Sequence, residues 1–164
     1  MEVKNRMHIL VQNNQRRHQA PLRPIRQAAA TILSALGCPD ETELSITITG
    51  DRAIHRLNRD YLGKDRPTNV ISFSLQEGEF SELACHALGD VVISADTAAQ
   101  EAAGAGWSPY ERLIFLLLHG ILHLCGYDHE RSGATAARRM ERKQQELWQL
   151  LQQKGLTTLP PISP

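Results

Sequence analysis

At 164 residues the chain is long enough for one domain with a sizeable hydrophobic core. Its 18 basic and 18 acidic residues cancel, which excludes a general electrostatic pull toward nucleic acid or an anionic membrane and leaves any such contact to a local patch or a bound ion. The three cysteines, Cys38, Cys85 and Cys125, are odd in number and form no CxxC pair; that composition suits a reducing compartment better than a disulfide framework.

In chain order, Met1–Arg6 is polar and lacks the apolar run of a leader. Met7–Val11 reads as a strand, and the apolar positions Ile25, Ala28, Ala29, Ile32, Leu33 and Leu36 as a helix opened by Pro24 and stopped by Gly37. Leu44–Thr49 alternates apolar residues with Ser and Thr, the pattern of a half-buried strand. Asp51 is expected to cap a helix carrying Ile54, Leu57, Asn58 and Tyr61. A basic loop over 63–67 leads into a strand at 68–74, and 76–86 reads as a polar loop or hairpin tip. A further strand at 88–93 precedes a helix capped by Ser94 and running to about Ala105. Ser108-Pro109-Tyr110-Glu111 combines a capping box with proline at the first helical position, so the next helix spans 109 to about 125. A last amphipathic helix covers 134–153 with Met140, Leu147, Trp148 and Leu151 on its apolar side. The tail 155–164, with three prolines in its last five residues, reads as disordered. The whole is α+β: one compact domain over 1–154, a small four-stranded sheet packed with about five helices.

Within the 109–125 helix stands the most informative string, His119-Gly-Ile-Leu-His123-Leu-Cys-Gly126-Tyr-Asp-His129. Four residues advance a helix by ~6 Å and nearly one turn, so His119 and His123 project from one face. Gly126 can adopt the left-handed conformation that ends a helix and lets the chain return with His129. The flanks 113–118 and Ile121, Leu122 and Leu124 are apolar; a helix that is apolar all round is buried, and buried imidazoles need a partner. Three imidazoles with an open fourth position make a catalytic zinc site with Zn–N bonds of ~2.0–2.1 Å. The expected cofactor is therefore one Zn2+ per chain on His119, His123 and His129, supporting hydrolytic or Lewis-acid chemistry. Imidazole also suits nickel, copper and iron. Cys125 lies two residues beyond His123 and is expected to be a small core residue rather than a ligand. The string is too short and too interrupted to span a bilayer, so a soluble cytoplasmic protein is expected.

The spacing equals that of the metzincin peptidases at the three His and the Gly, but the general-base Glu after the first His is here Gly120. Loss of such a base costs ~10²–10⁴-fold, which disfavours a peptidase. Asp128 is the nearest carboxylate, and orientation of a ligand histidine is its favoured role. No residue is assigned as the catalytic base.

The same string resembles the signature of the YbeY family of bacterial rRNA maturation endoribonucleases. Leu57-Asn58-Arg59-Asp60-Tyr61 with Lys64-Asp65-Arg66-Pro67-Thr68-Asn69-Val70-Ile71-Ser72-Phe73 is similar to its second motif, and Leu88–Ser94 to a third. The resemblance implies a zinc-dependent endoribonuclease specific for single strands, acting on rRNA and the ribosomal small subunit in 3′-end maturation and in ribosome quality control. It carries the zinc ligands onto His119, His123 and His129. In many members an Arg follows the motif's Tyr and serves the phosphate; here that position is Leu62, so either Arg59, Lys64 or Arg66 binds substrate in its place or this chain is a weaker nuclease. Leu62 also keeps open a zinc-bearing assembly factor that binds without cutting. Trp107 and Trp148 are expected to pack rather than stack on bases, and Arg138, Arg139, Arg142 and Lys143 to form a basic face on the last helix.

Overall fold

The computed structural model describes residues 7–75, 87–127 and 133–161. Strand β1 (His8–Asn13), helix α1 (Leu22–Ala35), β2 (Glu43–Thr49), α2 (Asp51–Leu62), β3 (Val70–Ser74), β4 (Ala87–Ser94), α3 (Ala95–Ala105), α4 (Pro109–Leu124) and α5 (Gly133–Gln153) follow in that order. The four strands form one sheet, β1-β2-β4-β3, parallel except for β3, which runs antiparallel to β4 at the edge. The α+β architecture with five helices is as expected. The segments 1–6, 76–86 and 128–132 lie outside the described residues, so the loop expected at 76–86 is not described.

The sheet's two faces bury unequal amounts. Period-two alternation sends Ile9 and Val11, Leu44, Ile46 and Ile48, and Val91 and Ile93 to one face. There they meet Ile25, Ile32 and Leu33 of α1, Leu113, Leu117 and Ile121 of α4, and Leu147 and Leu151 of α5. The other face carries a small cluster of Ile54, Ile71 and Val92, with Leu57 and Phe73 packed on it. Helix α2 covers that side only near β3 and β4. The leftover strip includes Leu10 of β1, which is exposed.

Two expectations about caps divide. Ser108 and Glu111 form the reciprocal capping box, at 3.1 and 3.0 Å, with Pro109 first in the helix. Asp51, expected to cap α2, is instead its first helical residue, with Gly50 at the cap position. The Asp51 carboxylate accepts hydrogen bonds from Ser94 and Thr97, while its N–H donates to the carboxylate of Asp96 at 3.0 Å. Asp96 thus caps α2 from the start of α3 and also pairs with His18. Donation from the Asp51 N–H, with the charges of Arg17 and His18, holds the Asp96 carboxyl below the ordinary aspartate range.

The tail is also corrected. Its first part, 155–161, continues as described chain: Gly155 takes a left-handed conformation, Leu156 packs on the core and Thr157 is buried. Residues 162–164 lie outside the described residues.

Candidate metal and RNA site

The C-terminal half of α4 lies beside β3, and the close approach is made at Gly120. A Cβ there would lie 2.7 Å from Val91 Cγ1 and 3.2 Å from Ser72 Oγ. The Ser72 hydroxyl donates to the Gly120 carbonyl at 3.0 Å, fixing helix against strand. The position where a metzincin carries its glutamate is therefore pressed against the sheet, with no room for a side chain.

With Gly120 against the sheet, His119 and His123 emerge from α4 together. Their Nε2 atoms converge to 3.0 Å. The Nδ1 of His119 lies 2.9 Å from Gln144 Oε1 of α5. The amide oxygen only accepts, so in the neutral ring Nδ1 carries the proton and Nε2 the lone pair. That is the arrangement a ligating histidine requires, an oriented ring with its other nitrogen hydrogen-bonded. Sequence reasoning assigned such a role to Asp128 and missed Gln144.

The support behind Gln144 is an aromatic clasp. Trp107 and Trp148 stack at 5.5 Å between centroids, 6° from parallel, and Phe115 meets both edge-on. Phe115 and His119 are one turn apart on α4, as are Trp148 and Gln144 on α5. The pairs 115/148 and 119/144 step in opposite directions, so the helices run antiparallel and the clasp sets the register that brings Gln144 to His119. Trp107 and Trp148 are packing residues, as expected.

Gly126 has φ +96° and the Tyr127 N–H returns to the Leu122 carbonyl at 2.9 Å, so α4 ends in the left-handed turn read from sequence. Asp128 and His129 follow immediately, outside the described residues. Among the described residues no group of three or more His, Cys, Asp or Glu side chains is placed to hold a metal ion; His119 and His123 supply two converging donors. Cys125 turns from them to Cys38, and that thiol–thiol hydrogen bond, with burial, pushes Cys125 above the ordinary thiol range, consistent with its expected exclusion as a ligand.

The pair opens onto a cleft of about 630 Å³ between α4, β3 and the end of α2, with Leu62, Lys64, Arg66 and Asn69 on its far side. Gly63 ends α2 with φ +69°, a conformation glycine adopts at little cost. Asn58, buried, then holds the basic loop: its amide donates to the Arg66 carbonyl at 2.8 Å, and its carbonyl accepts from the Lys64 N–H at 3.1 Å. Asn69 ties the start of β3 to Glu101, which also takes the Arg112 guanidinium at 3.1 Å. Of the three cations expected to meet substrate, Lys64 and Arg66 line the cleft. Arg59 does not. The cleft-facing stripe of α2 runs through Asn58 and Leu62, and Arg59, one residue round the helix, pairs with Asp60 at 3.0 Å in solvent.

An α+β domain with a histidine pair on a buried helix, facing a cleft with two basic side chains, has the build of a hydrolase, and comparison identifies which kind. Residues 10–152 match the family model described as Endoribonuclease YbeY. Endoribonuclease YbeY of Geobacter sulfurreducens is 59% identical over 150 residues, covering 92% of this chain and 99% of that protein. The protein of the same name from Syntrophotalea carbinolica is 47% identical over 148 residues, covering 90% and 98%. The solution structure of TM1509 from Thermotoga maritima superposes with a TM-score of 0.59 at 18% identity, covering 95% of this chain and 99% of that one, and has the same fold. The chain belongs to the YbeY endoribonuclease family.

Proposed function

We propose that this endoribonuclease, a hydrolase acting on RNA, holds one Zn2+ on His119, His123 and His129 and cuts single-stranded rRNA. Its proposed setting is the cytoplasm, in 3′-end maturation of small-subunit rRNA and in ribosome quality control. The observation that carries the reading is the convergence of the His119 and His123 Nε2 atoms at 3.0 Å on the wall of a cleft that also holds Lys64 and Arg66. Zinc bound there supplies Lewis acidity toward a phosphoryl oxygen or an attacking hydroxyl. Lys64 and Arg66 place positive charge where a phosphodiester lies and Arg66 can engage two phosphate oxygens at once. In the neutral His119 ring, Gln144 selects the tautomer that presents the Nε2 lone pair. The attacking hydroxyl is either water or the ribose 2′-OH; a substrate with one 2′-deoxyribose at the cut site is cleaved in the first case and resists in the second.

Gly120 speaks against the peptidase reading, since the close Val91 and Ser72 leave no space for a general-base carboxylate at that position. No described helix is long and apolar enough to cross a membrane. The test is elemental analysis of protein purified without chelator or added metal, followed by incubation with single-stranded RNA and with unfolded peptides. Stoichiometric zinc and RNA cleavage lost in His123→Ala support the reading. Peptide cleavage lost in the same variant, or RNA cleavage by zinc-free protein, overturns it.

A further inference from the structure

The described aromatic rings are divided between interior and surface. Tyr110 is buried, Trp107, Phe115 and Trp148 close on one another, and Tyr127 lies beneath the Arg139 guanidinium. Tyr61 is the exception, with 70% of its surface exposed on the last turn of α2, beside Leu62 at 52%. It is not a loose ring. Its centroid lies 5.6 Å from that of Phe73, 74° from parallel, and Phe73 is anchored on the Ile54, Ile71 and Val92 cluster. Phe73 and Leu62 both line the cleft that holds the histidine pair. An edge-to-face pair leaves an open ring face, and Tyr61's exposure puts that face in solvent, next to two residues that line the cleft.

We propose that Tyr61, braced by Phe73, is a stacking subsite for an unpaired nucleobase adjoining the scissile phosphate. The inference rests on the RNA-cleavage reading and deepens it. Two facts favour a nucleobase over another flat apolar ligand. Phe73, the ring that braces Tyr61, lines a cleft whose basic side chains, Lys64 and Arg66, suit a phosphodiester, so a strand lying across them has a base within reach of Tyr61. The chain has no net charge, so it has no general attraction to a polyanion beyond the local one at Lys64 and Arg66, and a contact that does not depend on charge adds affinity there. Stacking is such a contact and tolerates any sequence, because every base has a π face. It also gives a physical cause for single-strand selectivity: in a duplex both faces of each base are already covered.

The test pairs protein variants with a single-stranded oligoribonucleotide series in which one base at a time is removed. Wild type, Tyr61→Phe and Tyr61→Ala are compared by kcat/KM and by affinity, with thermal unfolding as a check on the fold. The expected result is a loss of about 5- to 150-fold in Tyr61→Ala, near-wild-type behaviour in Tyr61→Phe, and a matching loss in wild type when one particular base near the cut is missing. Tyr61→Ala should be indifferent to that same missing base. A Tyr61→Ala protein that cleaves like wild type, or that is weakened equally whichever base is absent, overturns the subsite while leaving the RNA-cleavage reading standing. A wild type that leaves every oligonucleotide intact overturns both.

Discussion

On one side of the cleft, His119 and His123 stand on α4, a helix with ten buried residues, capped by a reciprocal box and clasped to α5 by three aromatic rings. On the other side, Tyr61, Leu62, Lys64 and Arg66 are exposed, and the loop carrying Lys64 and Arg66 is held by one asparagine, whose side-chain amide donates to the Arg66 carbonyl and whose backbone carbonyl accepts from the Lys64 N–H. The contrast matches the roles proposed for the two walls. Groups that hold an ion must keep their positions to within fractions of an ångström, and only close packing supplies that rigidity. Groups that meet a flexible polyanion need charge and open faces, which burial would remove. The α4 wall should therefore respond to mutation through chemistry and stability, and the α2 wall through binding alone.

The largest break in that comparison is expected at His123→Ala. With one of the two converging imidazoles gone, RNA cleavage should fall by at least the roughly 10²–10³-fold that losing one preorganised electrostatic group costs. Zinc content should drop with it, while KM for RNA stays near its starting value. A mainly KM effect in initial-rate measurements would mean that His123 belongs to the recognition side. Next comes Gln144→Leu. Without the acceptor at 2.9 Å the His119 ring loses its fixed tautomer, and zinc affinity measured against a competing chelator should fall roughly 10–100-fold. Unchanged affinity would show that helix packing alone orients the ring.

Gly120→Ala tests the rigid wall by crowding. Alanine is the better helix former by roughly 0.8–1.0 kcal/mol, yet its Cβ would sit 2.7 Å from Val91 Cγ1, and overpacking a core costs about 1–3 kcal/mol. The clash should win, lowering the urea midpoint. A raised midpoint would mean that β4 yields freely. On the exposed wall, Lys64→Ala and Arg66→Ala should each reduce the slope of log affinity against log salt by about 1, with unfolding unchanged. Arg59→Ala should leave the slope alone, since its guanidinium pairs with Asp60 away from the cleft.

The parts of this arrangement that could be read from sequence are those set by local spacing. The histidine pair at i, i+4, the Ser108–Glu111 box, the left-handed turn at Gly126 and the Leu44–Ile46–Ile48 alternation each follow from one element's own geometry. The parts that could not be read depend on contacts between distant residues. Gln144 reaches His119 only because the 115/148 aromatic contact sets the helix register. The α2 cap comes from Asp96, forty-five residues beyond Asp51, so a rule that looks for the cap beside its helix chose the wrong aspartate. Arg59 looked as suitable as Lys64 until the Asn58–Leu62 stripe fixed which side of α2 faces the cleft. The prolines near the chain end suggested disorder, but Leu156 and Thr157 have somewhere to pack.

The smallest effect is expected at the far end of the rigid wall. Tyr110 is 3% exposed, its hydroxyl finds no hydrogen-bond partner among the described residues, and burial pushes its pKa up to about 12. An unpartnered buried hydroxyl costs free energy that a phenyl ring does not, so Tyr110→Phe should be neutral or stabilising by about 1 kcal/mol. The same residue has a signature in pH. Unfolding returns the phenol to its ordinary value near 10, so between pH 10 and 12 the unfolded chain sheds a proton that the folded one keeps. The folded state binds more protons there, and stability falls as pH rises through that window. Tyr110→Phe should flatten that fall, as read from urea midpoints across the window, while zinc content and RNA cleavage at neutral pH stay as they are. A variant that loses cleavage with its stability intact would mean that the two ends of α4 are coupled, and that this wall is less rigid than its packing implies.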